Sequence, residues 1–134
     1  MNQDEVRSLQ IESEFCLDQG FELISYGDGK VVIACEVLPR HSNTRGNAHG
    51  GVLAALLDTA MGLAVRHEGS VENLGTASLT VNYIRPARGR IAAHASLQRC
   101  GRTLAFCEAH ARTSSDEIVA TASAVFSIAR DGRK

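Results

Sequence analysis

Hydrophobic side chains are distributed along this chain in two distinct ways. Six segments are rich in Val, Ile, Thr, Tyr and Phe and are separated by turn-forming residues, a pattern typical of β-strands. One segment, from Val52 to His67, is apolar almost all the way round and is long enough for about four helical turns, which predicts a buried helix. The predicted strands cover Phe21 to Tyr26, Lys30 to Leu38, Leu74 to Ile84, Arg90 to Gln98, Thr103 to Thr113 and Ile118 to Ile128.

The two ends of the chain and one tight turn complete this outline. Apolar residues recur among charged ones from Gln3 to Leu17, which favours an amphipathic N-terminal helix within residues 1–19. The segment from Gly27 to Gly29 supplies the positive φ angles of a hairpin turn between the first two strands. Residues 129–134 are expected to form a frayed tail.

The connections between the last four predicted strands are short. They lie at Pro86 to Gly89, Cys100 to Gly101 and Ser114 to Asp116, and they predict antiparallel neighbours in a four-strand meander. A hairpin, one buried helix and a meander combine most simply into a single curved antiparallel sheet wrapped around the helix, an α+β fold. The length of 134 residues fits one domain spanning residues 1–134.

Composition excludes some partners and leaves one charged region of interest. Because the net charge is −1 and no apolar run approaches the roughly 20 residues that cross a bilayer, neither nucleic acid nor a membrane is expected as the main partner. The four cysteines have no metal-ligand spacing and predict reduced thiols in a cytoplasmic protein. From Asn73 to Cys107 there are five arginines and no acidic residue, which indicates either an anion-binding surface or solvated strand ends.

Asp58 is the only ionisable residue in the middle of the predicted helix. Burying a carboxylate costs several kcal/mol unless it is paired or used, and no Lys or Arg lies between Gly50 and Val65. Two interpretations follow. The side chain either reaches solvent or caps a neighbouring element, or it is a functional carboxylate at an internal cleft or a subunit interface.

The start of the same helix offers a complementary feature. Gly50 and Gly51 leave the first free N–H groups unscreened, and the helix dipole adds partial positive charge there, so this end can stabilise an oxyanion. His49 and Asp58 are about 13 Å apart along a helix, too far to act on one atom within one subunit. If both serve one reaction, Asp58 must come from a second chain, which predicts at least a homodimer.

These residues belong to a longer series. In order, the chain carries Asn43, His49-Gly50-Gly51, Asp58, Gly75-Thr76 and Tyr83-Ile84-Arg85-Pro86-Ala87. From about Gly20 to Ile128 the sequence resembles the hot-dog fold acyl-coenzyme A thioesterases of the 4-hydroxybenzoyl-CoA and phenylacetic acid degradation type. The resemblance implies a hot-dog fold, hydrolysis of an acyl or aryl thioester to the free acid and coenzyme A, no cofactor, no metal, and a homodimer or homotetramer.

The resemblance also implies roles for individual residues. The Gly50 N–H would polarise the thioester carbonyl, with the Asn43 side chain as a second donor or an orienting group. Asp58 of the opposing subunit would attack the carbonyl or activate water, and His49 would fix the loop by hydrogen bonding. Thr76 falls where some relatives carry a serine that orients water. The coenzyme A phosphates would lie near Arg85, Pro86, Gly101 and Arg102.

Two other functions stay open at this point. A hot-dog hydratase or dehydratase would act on related thioesters, but such enzymes pair a catalytic His with a carboxylate in a different loop pattern. A module that binds acyl-CoA without turnover would normally carry a DNA-binding segment, for which we expect no room before Phe21 or after Ile128. Simpler structural explanations are expected for the remaining candidates, His41, His67, His94, His110 and Cys107.

Overall fold

The structure, a computed structural model, describes residues 13–130. Within that range it contains one six-stranded sheet, two α-helices and a short 3-10 helix. In chain order these are α1 (Glu14–Gln19), β1 (Glu22–Gly27), β2 (Lys30–Glu36), the 3-10 helix (Pro39–His41), α2 (Gly50–Arg66), β3 (Val71–Tyr83), β4 (Arg90–Cys100), β5 (Leu104–Thr113) and β6 (Ile118–Arg130).

The sheet is antiparallel throughout and runs in the order β1-β2-β4-β5-β6-β3. Helix α2 packs on one face and contacts every strand from β2 to β6. Its side chains Leu56, Leu57 and Met61 are fully buried in the same core as Ile33 and Phe126 of the sheet. The predicted α+β hot-dog architecture, one curved sheet around one long helix, is confirmed.

Small side chains on the inner face of the sheet allow this close packing. Three strands contribute mostly alanine to the core, and short side chains let the helix backbone approach the sheet. The buried alanines of β4, β5 and β6 are Ala93, Ala95, Ala105, Ala109, Ala111, Ala120, Ala122 and Ala124.

The first two strands form the predicted hairpin. Asp28 and Gly29, at the centre of the turn, have φ angles of 54° and 73°. Two consecutive positive φ angles match the right-handed twist of the paired strands, and glycine adopts this conformation without steric strain. The hairpin therefore follows directly from the local sequence.

The predicted four-strand meander is wrong in one place. Strand β3 pairs with β6, not with β4, and β4 lies beside β2. The segment 84–89 between β3 and β4 runs across the start of α2, where Ala87 accepts a hydrogen bond from the Ala48 N–H and Gly89 accepts one from the Val37 N–H. Because this backbone is bonded to other segments, it spans the sheet and does not close a hairpin.

Helix α2 has one buried face and one face that the described residues, 13–130, leave partly open. The open face includes Ala55, Asp58, Thr59 and Gly62, all half-buried. The helix is thus buried toward the sheet, as the apolar sequence predicted, and half-buried on this second face. An apolar helix with an uncovered stripe indicates that something else covers that stripe.

Strand β3 is a long and exposed edge of the sheet. It has 13 residues, and those from Leu74 to Thr80 are all exposed. Leu74 is 58% exposed and Tyr83 is 54% exposed, so the edge is also partly apolar. Natural proteins cover or blunt such an edge, because its unpaired N–H and C=O groups pair readily with another strand.

The ends of the described range refine the predicted boundaries. Helix α1 coincides with the last part of the predicted N-terminal helix, and residues 1–12 lie outside the described residues. Strand β6 continues to Arg130, two residues into the predicted tail, and Arg130 pairs with Val71. Residues 131–134 lie outside the described residues. No helix in the described range is long and apolar enough to span a bilayer.

Candidate active site

The N-terminus of α2 presents one uncommitted amide. His49 is the N-cap residue, and its Nδ1 accepts a hydrogen bond of 2.8 Å from the Gly51 N–H. This contact uses one of the two amides that the sequence suggested were free. The Gly50 N–H donates to no group within residues 13–130. It therefore remains available, at the positive end of the helix dipole, for an acceptor from outside the chain.

Tyr83 lies directly over Gly50. Its hydroxyl donates a 2.7 Å hydrogen bond to the Gly50 carbonyl. A Cβ atom at position 50 would be 3.2 Å from Cζ of the Tyr83 ring and 3.3 Å from its hydroxyl oxygen. The close approach of the ring therefore favours glycine, because any larger residue would have to displace the ring by a few tenths of an ångström. The sequence placed Tyr83 in the family motif but gave it no role; its spacing from Gly50 carried no signal, because β3 reaches the helix only in the fold.

The loop before α2 is shaped by Asn43. Its Oδ1 accepts hydrogen bonds from the backbone N–H groups of Arg45 (2.9 Å) and Asn47 (3.1 Å). The backbone of Asn43 also pairs with Asn47, since the Asn43 N–H donates to the Asn47 carbonyl over 2.7 Å. Arg88 donates to Asn47 Oδ1 from the other side. The side-chain oxygen of Asn43 is thus committed to the loop, and both predicted roles, second donor through Nδ2 or orienting group, stay open.

His41 anchors the other end of this loop. It is 1% exposed and lies between α1 and β2. Its Nδ1 accepts from the Leu38 N–H over 2.9 Å, which leaves Nε2 as the protonated nitrogen that donates to the Gln19 carbonyl, also over 2.9 Å. The backbone carbonyl of His41 accepts from the His49 N–H. His41 is thus a buried structural residue that ties α1 and the loop to the start of α2.

Asp58 and Thr76 form a hydrogen-bonded pair between α2 and β3. The Thr76 hydroxyl donates to Asp58 Oδ1 over 2.8 Å, and no group within residues 13–130 donates to Oδ2. Asp58 is half-buried and Thr76 is exposed on the strand edge. The carboxylate is therefore held through one oxygen at the boundary between the core and the uncovered face, which leaves its second oxygen without a donor among the described residues.

Gly50 and Asp58 are separated within the chain. Both lie on α2, and eight residues of helix correspond to about 12 Å. No single carbonyl can contact the amide of one and the carboxylate of the other in the same protomer. The structure thus places each predicted group at an accessible position but does not bring the two together in one chain.

The four residues assigned to the coenzyme A phosphates fall in two places. Arg85 and Pro86 line a cleft of about 350 Å³ together with Gly50 and Tyr83. Gly101 and Arg102 follow the far end of β4, a strand of 11 residues and therefore about 36 Å from the end that adjoins this cleft. Arg85 also lies 3.6 Å from a Glu117 carboxylate oxygen, an exposed ion pair.

The remaining candidates do not contribute to this site. Burial raises the pKa of the Cys107 thiol to about 12, and its Sγ contacts the Met61 carbonyl, so it is a poor nucleophile. His94 and His110 stack on each other in the sheet, with ring centroids 5.1 Å apart. Within residues 13–130, no three His, Cys, Asp or Glu side chains are grouped so as to hold a metal ion.

This chain is similar to a known family and to individual known proteins. The sequence model of the thioesterase superfamily matches residues 45–120. A putative esterase from Halobacterium salinarum is 43% identical over 84 residues, covering 60% of this chain and 56% of that protein. The medium/long-chain acyl-CoA thioesterase YigI from Escherichia coli is 35% identical over 95 residues, covering 60% of this chain and 61% of that protein. The matched region is less than two thirds of the length of either relative.

A solved structure provides a similar comparison for the fold. A mutant of the phenylacetic acid degradation protein PaaI from Thermus thermophilus superposes on this chain with a TM-score of 0.78. The two sequences are 28% identical, and the match covers 86% of this chain and 98% of that one. The segment that contains Gly50, Asp58 and Thr76 lies inside the family match.

Proposed function

Since the chain belongs to the thioesterase superfamily, we propose that it hydrolyses acyl-CoA thioesters to the free acid and coenzyme A, at sites built from two copies of the chain. One observation carries the proposal. A free amide at Gly50 lies at the N-terminus of α2 and the Asp58 carboxylate lies on its uncovered face, and the two are too far apart to serve one carbonyl within a chain. A two-fold arrangement lets each amide meet the other chain's carboxylate.

Gly50 stabilises the charge that develops on the thioester oxygen. Its N–H donates to the carbonyl oxygen, and this bond strengthens as the oxygen becomes an anion in the tetrahedral intermediate. The amide is preorganised because His49 caps the helix and Tyr83 packs against Gly50. No reorganisation is then needed during the reaction.

Asp58 supplies the attacking group. As a general base it removes a proton from water, whose oxygen bonds to the carbonyl carbon; the C–S bond then breaks and the thiolate leaves. As a nucleophile its Oδ2 bonds to that carbon, the C–S bond breaks and the thiolate leaves, and the resulting anhydride is later hydrolysed by water to the free acid and the Asp58 carboxylate. In both routes Thr76 holds Oδ1 and so orients Oδ2 toward the substrate. The position of Thr76 supports this orienting role.

The exposed edge of β3 provides the surface for the dimer. Two copies of this edge related by a two-fold axis pair as antiparallel strands and extend the sheet across both chains. This pairing also covers the open face of α2 near Asp58. A tetramer formed from two such dimers is consistent with the fold.

The substrate contacts at longer range follow from the same symmetry. Arg85 and Pro86 lie beside Gly50 of their own chain, and in a β3-paired dimer the partner subunit's Gly101 and Arg102 approach that site from across the interface. Arginine suits this position because its guanidinium binds phosphate oxygens in a bidentate way. The acyl group is aryl or medium in length. A cytoplasmic location, expected from the reduced cysteines, stays a prediction.

Complementation between two inactive variants tests the shared site. Asp58→Asn and Gly50→Pro chains, carrying different affinity tags, are purified singly and as the co-expressed mixed dimer. Acyl-CoA hydrolysis is followed with a thiol-detecting dye. Each homodimer should be inactive, whereas the mixed dimer keeps one intact site of two and should show about half the activity per dimer of the unmodified protein.

The outcomes separate the parts of the proposal. If the mixed dimer hydrolyses no acyl-CoA although circular dichroism shows that both variants are folded, Gly50 and Asp58 do not form one shared site. Absence of thiol release by the unmodified protein across aryl-, short-, medium- and long-chain acyl-CoAs would reject hydrolysis. Full activity of Asp58→Asn would show that hydrolysis does not require the Asp58 carboxylate.

A further inference from the structure

Strand β3 departs from regular pairing on both sides of Thr76. Its register with β6 shifts twice, and Leu74 before Thr76 and Ala77 after it have no pairing partner among the described residues of β6. An extra residue on one strand of an antiparallel pair is a β-bulge, which bends the strand and changes the direction of its side chains. Thr76 therefore lies between two bulges.

The two bulges change which residues of β3 face the helix. On β6 every second residue is buried on the inner face of the sheet: Ile128, Phe126 and Ala124. Their partners on β3 are Asn73, Thr76 and Leu79, which are three residues apart. In a regular strand, residues three apart point to opposite faces, so Thr76 would point away from α2 if Asn73 points toward it. The bulges therefore turn Thr76 to the helix side.

Asn73 holds the first bulge and ties it to α2. Its Oδ1 accepts a 2.9 Å hydrogen bond from the Gly75 N–H, and its Nδ2 donates a 3.2 Å hydrogen bond to the Gly62 carbonyl. Gly75 has a φ angle of 130°, which residues with a side chain rarely adopt, so the bulge favours glycine there. Both polar atoms of the Asn73 side chain thus fix the strand in front of Thr76.

The contacts of Asn73 and Thr76 reach the same side of α2. Asn73 bonds to the Gly62 carbonyl, and Thr76 bonds to Asp58 Oδ1. Asp58 and Gly62 are four residues apart, and residues at this spacing lie on one side of a helix. The two bonds are therefore adjacent links between β3 and α2. The link through Asn73 sets the strand position from which Thr76 reaches the carboxylate.

We propose that Asn73 is a positioning residue for hydrolysis, because it holds the bulge that aims Thr76 at Asp58. The inference rests on the proposed thioester hydrolysis. Without Oδ1 the Gly75 N–H loses its acceptor, and regular pairing, which turns Thr76 outward, competes with the bulge. Asp58 then loses the donor to Oδ1, and Oδ2 is no longer held in one orientation. This bond does not contact substrate, so kcat should fall while KM changes little.

A double-variant cycle tests whether Asn73 acts through Thr76. Thr76→Val keeps the side-chain shape but removes the hydroxyl, and it should lower kcat for acyl-CoA hydrolysis on the order of tenfold, as for a lost bond to a charged group. Asn73→Ala should lower kcat several-fold. In the double variant, Asn73→Ala should cause no further loss, because the group that Asn73 positions is already absent. Two independent, multiplying losses would overturn the proposal.

Asn82→Ala is the matched control. Asn82 is an exposed residue of the same strand, and it lies on the other side of the sheet in a pocket that His94 and His110 also line. Its replacement should leave kcat and KM unchanged. An equal loss of kcat in Asn82→Ala and Asn73→Ala would assign the effect to β3 as a whole and would overturn the specific role of Asn73.

A crystal structure of Asn73→Ala tests the positioning without any substrate. The Thr76 hydroxyl should no longer bond to Asp58, and an unchanged Thr76–Asp58 bond would overturn the proposal. Asn73→Leu fills a similar space without a donor or an acceptor and replaces Asn73→Ala if that variant does not fold. If the unmodified protein hydrolyses no acyl-CoA, the proposed function fails, and the crystal structure still decides whether Asn73 places Thr76.

Discussion

At the level of single residues, Gly50 and Tyr83 make a close contact in the candidate site. A Cβ atom at position 50 would lie 3.2 Å from the Tyr83 ring, so the ring would have to shift by a few tenths of an ångström. The hydroxyl group at the same time bonds to the Gly50 carbonyl. One side chain from β3 thus favours glycine at this position and helps to hold the residue whose amide is proposed to face the substrate.

Gly50→Ala should therefore reduce catalysis although the amide is retained. The methyl group would lie 3.2 Å from the ring, so the ring or the amide must shift by a few tenths of an ångström, a fraction of the displacement of about 1 Å that costs a catalytic group on the order of 100-fold. We therefore expect kcat to fall several-fold while the melting temperature changes little. Steady-state kinetics of the single variant, of Tyr83→Ala and of the double variant provide the check. If the double variant is no faster than Gly50→Ala alone, the contact is not the cause.

At the level of elements, the sequence predicted the structures that depend on neighbouring residues along the chain. The hairpin turn at Asp28-Gly29, the six strands and the long helix follow from turn chemistry and hydrophobic patterning. The partner of β3 could not be predicted in this way. Its position depends on hydrogen bonds from the segment 84–89 to residues far away in sequence, such as Ala48 and Val119.

In the candidate site, too, some features could be predicted from the sequence and others could not. The candidate roles of Gly50 and Asp58 could be inferred from sequence, because a helix start and a lone carboxylate have recognisable chemistry. The Tyr83 contact and the commitment of the Gly51 N–H to His49 could not, since both depend on side-chain directions that only the fold sets. The open face of α2 was also missed, because an apolar sequence does not distinguish burial within a chain from burial between chains.

The His94–His110 pair on the outer face of the sheet makes stability depend on pH. Burial and then the nearby Arg112 charge lower the pKa of both imidazoles. The folded chain therefore binds fewer protons than the unfolded chain below about pH 6.5, and stability decreases as the pH falls through that value. Above about pH 7 the pair is neutral in both states and the effect is absent.

Urea unfolding at pH 7.5 and 5.5 measures this difference. The unmodified protein should lose more stability between the two values than a His94→Gln, His110→Gln double variant, because glutamine does not titrate. Asp116 raises the pKa of both groups and limits the effect, so Asp116→Asn should enlarge it. Equal losses in the unmodified protein and the double variant would show that the pair is not responsible.

At the level of the whole molecule, the proposed dimer depends on the β3 edge. Leu79, in the middle of this strand, is 37% exposed. In a two-fold pairing each Leu79 lies near its copy, so Leu79→Glu should bring like charges together and desolvate them. Light scattering after gel filtration should then give the mass of one chain for the Leu79→Glu variant. The thiol assay should show that this variant has lost hydrolysis.

Ile24 offers a control at the opposite edge of the sheet. It is 47% exposed and lies on β1, the strand at the other end of the sheet order. Ile24→Glu introduces the same charge on an exposed apolar side chain and should leave mass and activity unchanged. A dimeric, active Leu79→Glu protein would exclude pairing through this part of β3.

The thirteen-residue edge of β3 also has a consequence for the chain during its synthesis. A newly folded monomer exposes a row of unpaired backbone N–H and C=O groups and several apolar side chains to any strand that it encounters. In a cell, other proteins are more numerous than copies of this chain. Slow dimerisation would therefore favour aggregation or proteolysis of the monomer. The yield of folded protein should therefore rise when many ribosomes translate one messenger RNA, because the chains are then made close together. It should fall when the expression level is low.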